Sequence, residues 1–215
     1  MADRADTERS MDPAWLDWTK RLQAIAQTGL TYTDDVYDTE RYEQLRTIAA
    51  EIVAGYTDAD LRRVEGLLTK ESGHATPKVA VLGVVFRDDR LLLVRQRGEG
   101  QWSLPGGWAD VGESPGEAVV REVFEESGFR THASKLIAVQ DRDRHGHTPL
   151  PFYVYRLLFL CDIIGGDAAT SAETDAVDFF AETDLPELSI GRVTETQIAR
   201  VFEHHRHPDW PADFD

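Results

Sequence analysis

Apolar residues recur at helical spacing over the first third of the chain and at strand-like spacing after it. In PAWLDWTKRLQAIAQT, residues 13–28, Trp15, Trp18, Leu22 and Ile25 fall three or four apart, which puts them on one helical face. Asp12 and Pro13 supply its start and Gly29 its stop. Residues 30–37 read as a turn-rich link. A second helix is predicted over 39–55, from Thr39 to Gly55, with Tyr42, Leu45 and Ile48 on its apolar face. A third, short one is predicted to start at Thr57 or Asp58. SGHATP, residues 72–77, has linker composition.

Beyond the linker the spacing changes. KVAVLGVVF and RLLLVRQR, split by Asp88 and Asp89, predict a β-hairpin. Strand signals return in KLIAVQD, FYVYRLLFLCDII and DAVDFFA, and LPGG, residues 104–107, marks a turn. Ser114, Pro115 and Glu117 stand where a capping residue, the first helical residue and a capping-box acid belong, and Gly128 can end that helix in the left-handed conformation. The predicted helix covers 115–127. A last helix, 194–206, is capped by Thr194. Strands, helix, strands, helix predict an α/β (α+β) domain with a mixed sheet behind a small helical domain.

Composition narrows the class. The chain has 215 residues, 41% hydrophobic and 29% charged, as a globular protein does. No apolar run approaches the ~18 residues that a membrane span needs. MADRADTERSMDP lacks the apolar core of a signal peptide. The lone Cys161 sits in the apolar LLFLCDII and excludes an internal disulfide framework. The expectation is a cytoplasmic protein with no membrane partner. A formal charge of -16 argues against DNA as a partner, though not against a small phosphorylated ligand held through a metal. Only Lys20, Lys70, Lys78 and Lys135 among the 23 basic residues are lysines. That bias with excess acid suggests a salt-rich habitat, where ions screen self-repulsion. Unfolding across a salt series tests this, and a fold indifferent to molar salt would sink it.

The acid is concentrated in REVFEESG, residues 121–128. Glu122, Glu125 and Glu126 fall within a helical arc of roughly 100°, beside an apolar arc of Val119, Val120, Val123 and Phe124. Like charges at that spacing cost a few tenths of a kcal/mol per pair, so solvent or a bound cation must offset them. Glu122 and Glu126, one turn apart, can grip one Mg²⁺, with Glu125 close by. Arg121 flanks the stripe and can hold a carboxylate in place. The Gly106-Gly107 turn allows backbone carbonyls to approach the same ion.

The full stretch, GWADVGESPGEAVVREVFEESGF, resembles the Nudix box. Gly107, Glu113, Arg121, Glu122, Val123, Glu125, Glu126, Gly128 and Phe129 all stand at its constrained positions. The resemblance implies a Nudix α/β/α sandwich with a mixed sheet over 76–207, carrying the box as loop–helix–loop. It implies Mg²⁺-dependent hydrolysis, with Mn²⁺ as an alternative ion, of a nucleoside diphosphate linked to another group, X. It makes Glu122 and Glu126 metal ligands, Glu125 a further ligand or water-orienting group, and the Gly106 carbonyl a possible ligand. Arg121 orients and Glu113 braces the loop. The general base is a box glutamate or one outside it, and Glu173 in TSAETDAVDFF is the outside candidate.

The segment before the box, including GLTY and YDTERYEQL, is similar to the helical domain of hydrolases of X-linked nucleoside diphosphates. That likeness places a helical domain over residues 1–72 and implies a homodimer, packing of its apolar faces against the chain's own Nudix domain being the alternative, with CDP-choline and ADP-ribose as the leading substrates. Candidate substrate contacts are Arg95 and Arg97 before the glycine turn, Trp102 as a stacking surface, and Arg144 in the DRDRHGHTPLP loop. In that loop Arg142, His145 and His147 could also cover the site, though imidazole does not suit Mg²⁺. HHRH, residues 204–207, resembles a soft-metal tract but reads better as a solvated helix end. Two rivals remain: a non-hydrolytic ligand sensor, for which no basic module is present, and a prenyl-diphosphate isomerase, for which Cys161 is badly placed.

Overall fold

A computed structural model describes residues 13–215. They form two compact units: the chain up to Pro77 together with Leu150–Tyr153, and Lys78–Pro149 with Val154–Asp215.

The first unit holds α1 (Ala14–Tyr32), α2 (Val36–Tyr56) and α3 (Leu61–Leu68). Asp12, expected to help open α1, lies outside the described residues, and Pro13 stands at the cap without a side-chain bond. The expected link over 30–37 is shorter than its composition suggested, because α1 runs on to Tyr32. α2 starts at Val36 rather than Thr39, because the Asp35 carboxylate accepts from the Asp38 N–H at 2.9 Å. Asp60 caps α3 in the same way, in place of Thr57 or Asp58. Small residues let the helices close: Ala49 and Ala50 are fully buried with Val64 and Leu68. Trp15 stacks on Tyr56 at 5.3 Å, and the Tyr153 hydroxyl donates to Asp17 at 2.8 Å. Much apolar surface stays outside this core, including Trp18 at 55% exposure and Ile25 at 54%.

The second unit is a layered α/β fold. Its elements are β1 (Lys78–Val84), β2 (Phe86–Arg87), β3 (Arg90–Gln96), β4 (Trp102–Ser103), β5 (Gly106–Trp108), α4 (Pro115–Ser127), β6 (Phe129–Asp141), β7 (Val154–Gly166), β8 (Thr174–Phe180), α5 (Glu195–Arg206) and β9 (Asp213–Phe214). One sheet runs β5-β1-β7-β6-β9, with β1–β7 and β6–β9 parallel and the other pairs antiparallel. In the other, β3 pairs with β2, β4 and β8.

Strand alternation explains the layers. Leu91 and Leu93 point into the core that holds Ile198, Val201 and Phe202 of α5. Leu92 points the other way, into the core with Val119 and Val123 of α4. The strands are therefore covered on both faces and read as continuous apolar runs. The expected hairpin is smaller than drawn from the sequence. Asp88 and Asp89 do form its two-residue turn, at φ 51° and 56°, but only β2 pairs with β3 across it. KVAVLGV is in the other sheet, because β1 finds β5 and β7 as partners. The closing strand β9 had no sequence signal beyond two residues.

Candidate functional site

The site is built on α4. Ser114 and Glu117 form a reciprocal capping box: the Ser114 Oγ accepts from the Glu117 N–H at 3.3 Å, and the Glu117 carboxylate from the Ser114 N–H at 2.8 Å. Gly128 closes the helix at φ 78°. Val119 and Val123 bury its apolar face, which turns the acidic stripe toward the glycine turn.

Glu126 is 3% exposed. Its carboxylate accepts from the Gly106 N–H at 2.9 Å and from the Gln96 amide at 3.2 Å, while the Thr174 hydroxyl donates to its backbone carbonyl at 2.7 Å. Burial pushes its pKa up against those two hydrogen bonds. Burial likewise pushes Glu122 up, despite Arg121 beside it, and Glu125 and Glu173 add their charges in the same direction. Gly107 is the reason Glu122 fits: a Cβ there would stand 2.9 Å from its carboxylate oxygens. Gly106 adopts φ 153°, where a Cβ would lie 2.1 Å from the Val81 carbonyl.

Arg121 sits among four acids. Its Nε donates to both oxygens of Glu113 at 3.0 Å, and its Nη1 to Glu122 at 2.8 Å and Glu125 at 3.0 Å, with Asp110 at 3.7 Å. These acids, Glu113 first, push the guanidinium pKa further up. Among the described residues no three acidic, histidine or cysteine side chains converge as a closed ligand set. The reason is visible in the contacts: Arg121 stands between Glu122 and Glu125, and donors hold Glu126. The chemistry nevertheless fits a hard divalent cation. The donors are all carboxylate oxygens, two of them lie where burial disfavours their charge, and a residue without Cβ faces one of them.

The remaining expected contacts are divided. Glu173 lies close enough to raise Glu122, and its exposed carboxylate makes no hydrogen bond or ion pair among the described residues. Arg97 is engaged elsewhere: its guanidinium donates to the carbonyls of Ser171, Ala172 and Thr174, bracing the loop that carries Glu173. Arg95 pairs with Asp175 at 2.6 Å and lies 5.8 Å over the Trp102 ring. Trp102 itself packs edge-on against Phe180 at 4.8 Å. Arg144 is exposed and pairs with Asp141 at 3.6 Å.

The DRDRHGHTPLP segment is no loose cover. Arg142 and His147 are buried, and the His147 Nδ1–H donates to the Ile190 carbonyl at 2.7 Å. Its Nε2 accepts from Arg156 at 3.1 Å, so neither nitrogen is offered to a metal. His145 instead faces Asp215 at 3.1 Å. HHRH is solvated only at its end: His204 is buried and bonds Asp213 at 3.0 Å, His205 stacks on Phe86 at 3.9 Å, and His207 is exposed while stacking on Trp210 at 4.5 Å. Burial pushes the Cys161 thiol up to about 12, which leaves it inert. Gln96, Thr174 and Arg192 escaped the sequence reading. Gln96 could have been suspected as a polar residue ending the apolar run of β3, whereas nothing local marks Arg192.

Residues 76–200 match the family model described as the NUDIX domain. The chain belongs to the Nudix hydrolase family. Residues 13–68 match a second model, described as a UDP-X-like N-terminal oligomerisation domain. A relative in Bacillus subtilis (strain 168), named "Putative ADP-ribose pyrophosphatase YjhB", is 44% identical over 94% of this chain and 97% of its own length. Among solved structures, a UDP-X diphosphatase is 34% identical at TM-score 0.61, over 94% of this chain and 98% of the other. An ADP-ribose pyrophosphatase from Streptococcus suis 89-1591 is 38% identical at TM-score 0.60, over 65% of this chain and all of the other. This Nudix chain is an enzyme, and its box is the stretch on and around α4.

Proposed function

We propose that this Nudix hydrolase is a Mg²⁺-dependent pyrophosphohydrolase, also able to use Mn²⁺, that splits an X-linked nucleoside diphosphate into a nucleoside monophosphate and a phosphorylated X. ADP-ribose is the first candidate, from the relatives' names, and CDP-choline the second. The observation that carries the reading is the pair Glu122 and Glu126: two acids on successive turns, raised by burial and set against a turn that has no Cβ in the way.

A bound Mg²⁺ would offset the diphosphate's charge and lower the pKa of water that attacks phosphorus. Glu122 and Glu126 would hold it, with Glu125 and the Gly106 carbonyl completing the set. Arg121, anchored by Glu113, keeps Glu122 and Glu125 aimed together. Glu173 accepts the proton of the attacking water, because its carboxylate is free while that of Glu125 is tied to Arg121. The leaving phosphate needs little help from an acid, since a phosphate monoester departs as an anion.

The first unit pairs two copies of the chain. The apolar surface of Trp18 and Ile25, and the description of the domain it matches, support a homodimer. Sedimentation that finds only monomer at micromolar concentration refutes the pairing. The enzymatic reading is tested by offering ADP-ribose, CDP-choline and UDP-sugars with Mg²⁺ or Mn²⁺ and measuring released monophosphate. Turnover of one class is expected. Binding without cleavage across the panel would make the protein a sensor instead.

A further inference from the structure

Outside the box, the sequence Leu188–Val193 is held beside the glycine turn by an unusual means. Its backbone pairs with β4: Trp102 N–H donates to the Glu187 carbonyl at 2.9 Å, and Ser189 N–H to the Trp102 carbonyl at 2.8 Å. The Arg192 N–H then closes a turn onto the Ser189 carbonyl at 2.8 Å. β4 leads within three residues to Gly106, whose N–H holds Glu126.

Two buried arginines fix this turn from below. Arg156 donates to the carbonyls of Gly191, at 2.8 Å, and Arg192. Arg142 donates to Gly191 at 3.2 Å and to Thr148 at 2.6 Å. His147 holds Ile190. Three consecutive carbonyls are thus fixed by side chains distant in sequence. Burying guanidiniums against carbonyls is costly, and Arg156 shows it: burial, then the charges of Arg142 and Arg192, lower its pKa to about 9.

That cost goes into orienting one residue. The Arg192 guanidinium has no hydrogen bond or ion pair among the described residues, in contrast to Arg95, Arg97, Arg121 and Arg144, which are all engaged. Its turn is paired to β4, three residues before Gly106, and its charge acts on the buried carboxylate of Glu126. An unpaired guanidinium near an acid pair of this kind is suited to a second anion brought in by a metal.

We propose that Arg192 is a substrate-binding residue that meets the diphosphate of the nucleotide conjugate, on a turn preset by Arg142, Arg156 and His147. This rests on the pyrophosphohydrolase reading above. A guanidinium can take two phosphate oxygens side by side, so Arg192 steers the diphosphate into register with Glu122 and Glu126 rather than touching the base or X.

The test uses the full chain and the conjugate that the wild type cleaves fastest in the panel. Arg192→Gln should raise KM at least tenfold and change kcat less, with Arg192→Lys intermediate. Binding of the methylene-bridged analogue of that conjugate, measured by calorimetry with Mg²⁺, should weaken in the same order, while that of its free nucleoside changes less than twofold. A purely structural role would weaken both ligands alike and would lower Tm. If wild type cleaves its substrate and Arg192→Gln keeps KM and analogue affinity within twofold, the assignment to Arg192 falls while the function stands. If wild type cleaves no conjugate, the functional reading falls and takes this with it.

Discussion

The box and the turn at Arg192 bear on the same carboxylate but are built in opposite ways. In the box the helix cap and the arginine clamp are short in sequence: Ser114 to Glu117, Arg121 to Glu113 eight residues back, and Arg121 to Glu122 and Glu125; Glu126 alone reaches further, to Gly106, Gln96 and Thr174. Around Arg192 the bonds run from Arg156 and His147, 36 and 43 residues away. The cap and the arginine clamp are local devices that can assemble once α4 forms, and only the seat of Glu126 waits for the strands. The turn exists only after β6, β7 and the segment before α5 have come together. The two should therefore fail differently, one by losing chemistry and the other by losing structure.

The largest effect belongs to the box. Glu126→Gln removes a buried charge but keeps a carbonyl oxygen for the Gly106 N–H. Turnover should fall on the order of 10³-fold or more, while Tm without metal holds or rises. A drop in Tm of several degrees would make Glu126 a structural acid and erase the contrast. Glu173→Gln should cost a comparable factor in kcat with metal affinity unchanged; a loss confined to metal affinity would move the base to Glu125.

The opposite outcome is expected for Arg156→Met. It leaves the His147 Nε2 and the Arg192 carbonyl without their donor, and the Gly191 carbonyl with Arg142 alone. Breaking such a buried set costs about 3 kcal/mol, or roughly 6–12 °C in Tm for a chain of this size. Thermal unfolding checks it. An unchanged Tm would mean that water or a neighbour replaces the guanidinium, and that the turn is not held by it.

This contrast also explains what could be read in advance. The spacing of glutamates, the Ser114 cap and the Gly128 stop are all local, so α4 and its acidic face were legible from the residues alone. Arg95 and Arg97 looked like phosphate ligands because they precede the glycine turn. Asp175 and the carbonyls around Ala172 claim them across β3–β8 pairing, which no local pattern announces. Arg192 had the reverse fate. It sits in IGRVTET like any solvated loop arginine, and only the tertiary placement of Arg142 and Arg156 gives it a direction. Likewise α2 began earlier than its apolar spacing suggested, since a cap at Asp35 outweighs the turn-forming composition before Thr39.

The smallest effect sharpens the comparison through pH. His147 has its pKa lowered to about 3, first by burial and then by Arg156, with Arg142 and His145 adding to it and only the Ile190 carbonyl opposing. The unfolded chain takes a proton on this imidazole near 6.5, and the folded one does not until about 3. Between those values the unfolded state binds more protons, so this residue's contribution to stability is full above the upper value and declines as pH falls toward the lower one. His147→Asn keeps a donor for Ile190 without the titration. Its Tm deficit against wild type, measured at pH 7.5, should shrink by pH 4.5, with other acid-sensitive groups common to both proteins. A deficit constant across that range would show that His147 titrates normally in the fold, and the turn carrying Arg192 would then be open to water rather than sealed by two buried guanidiniums.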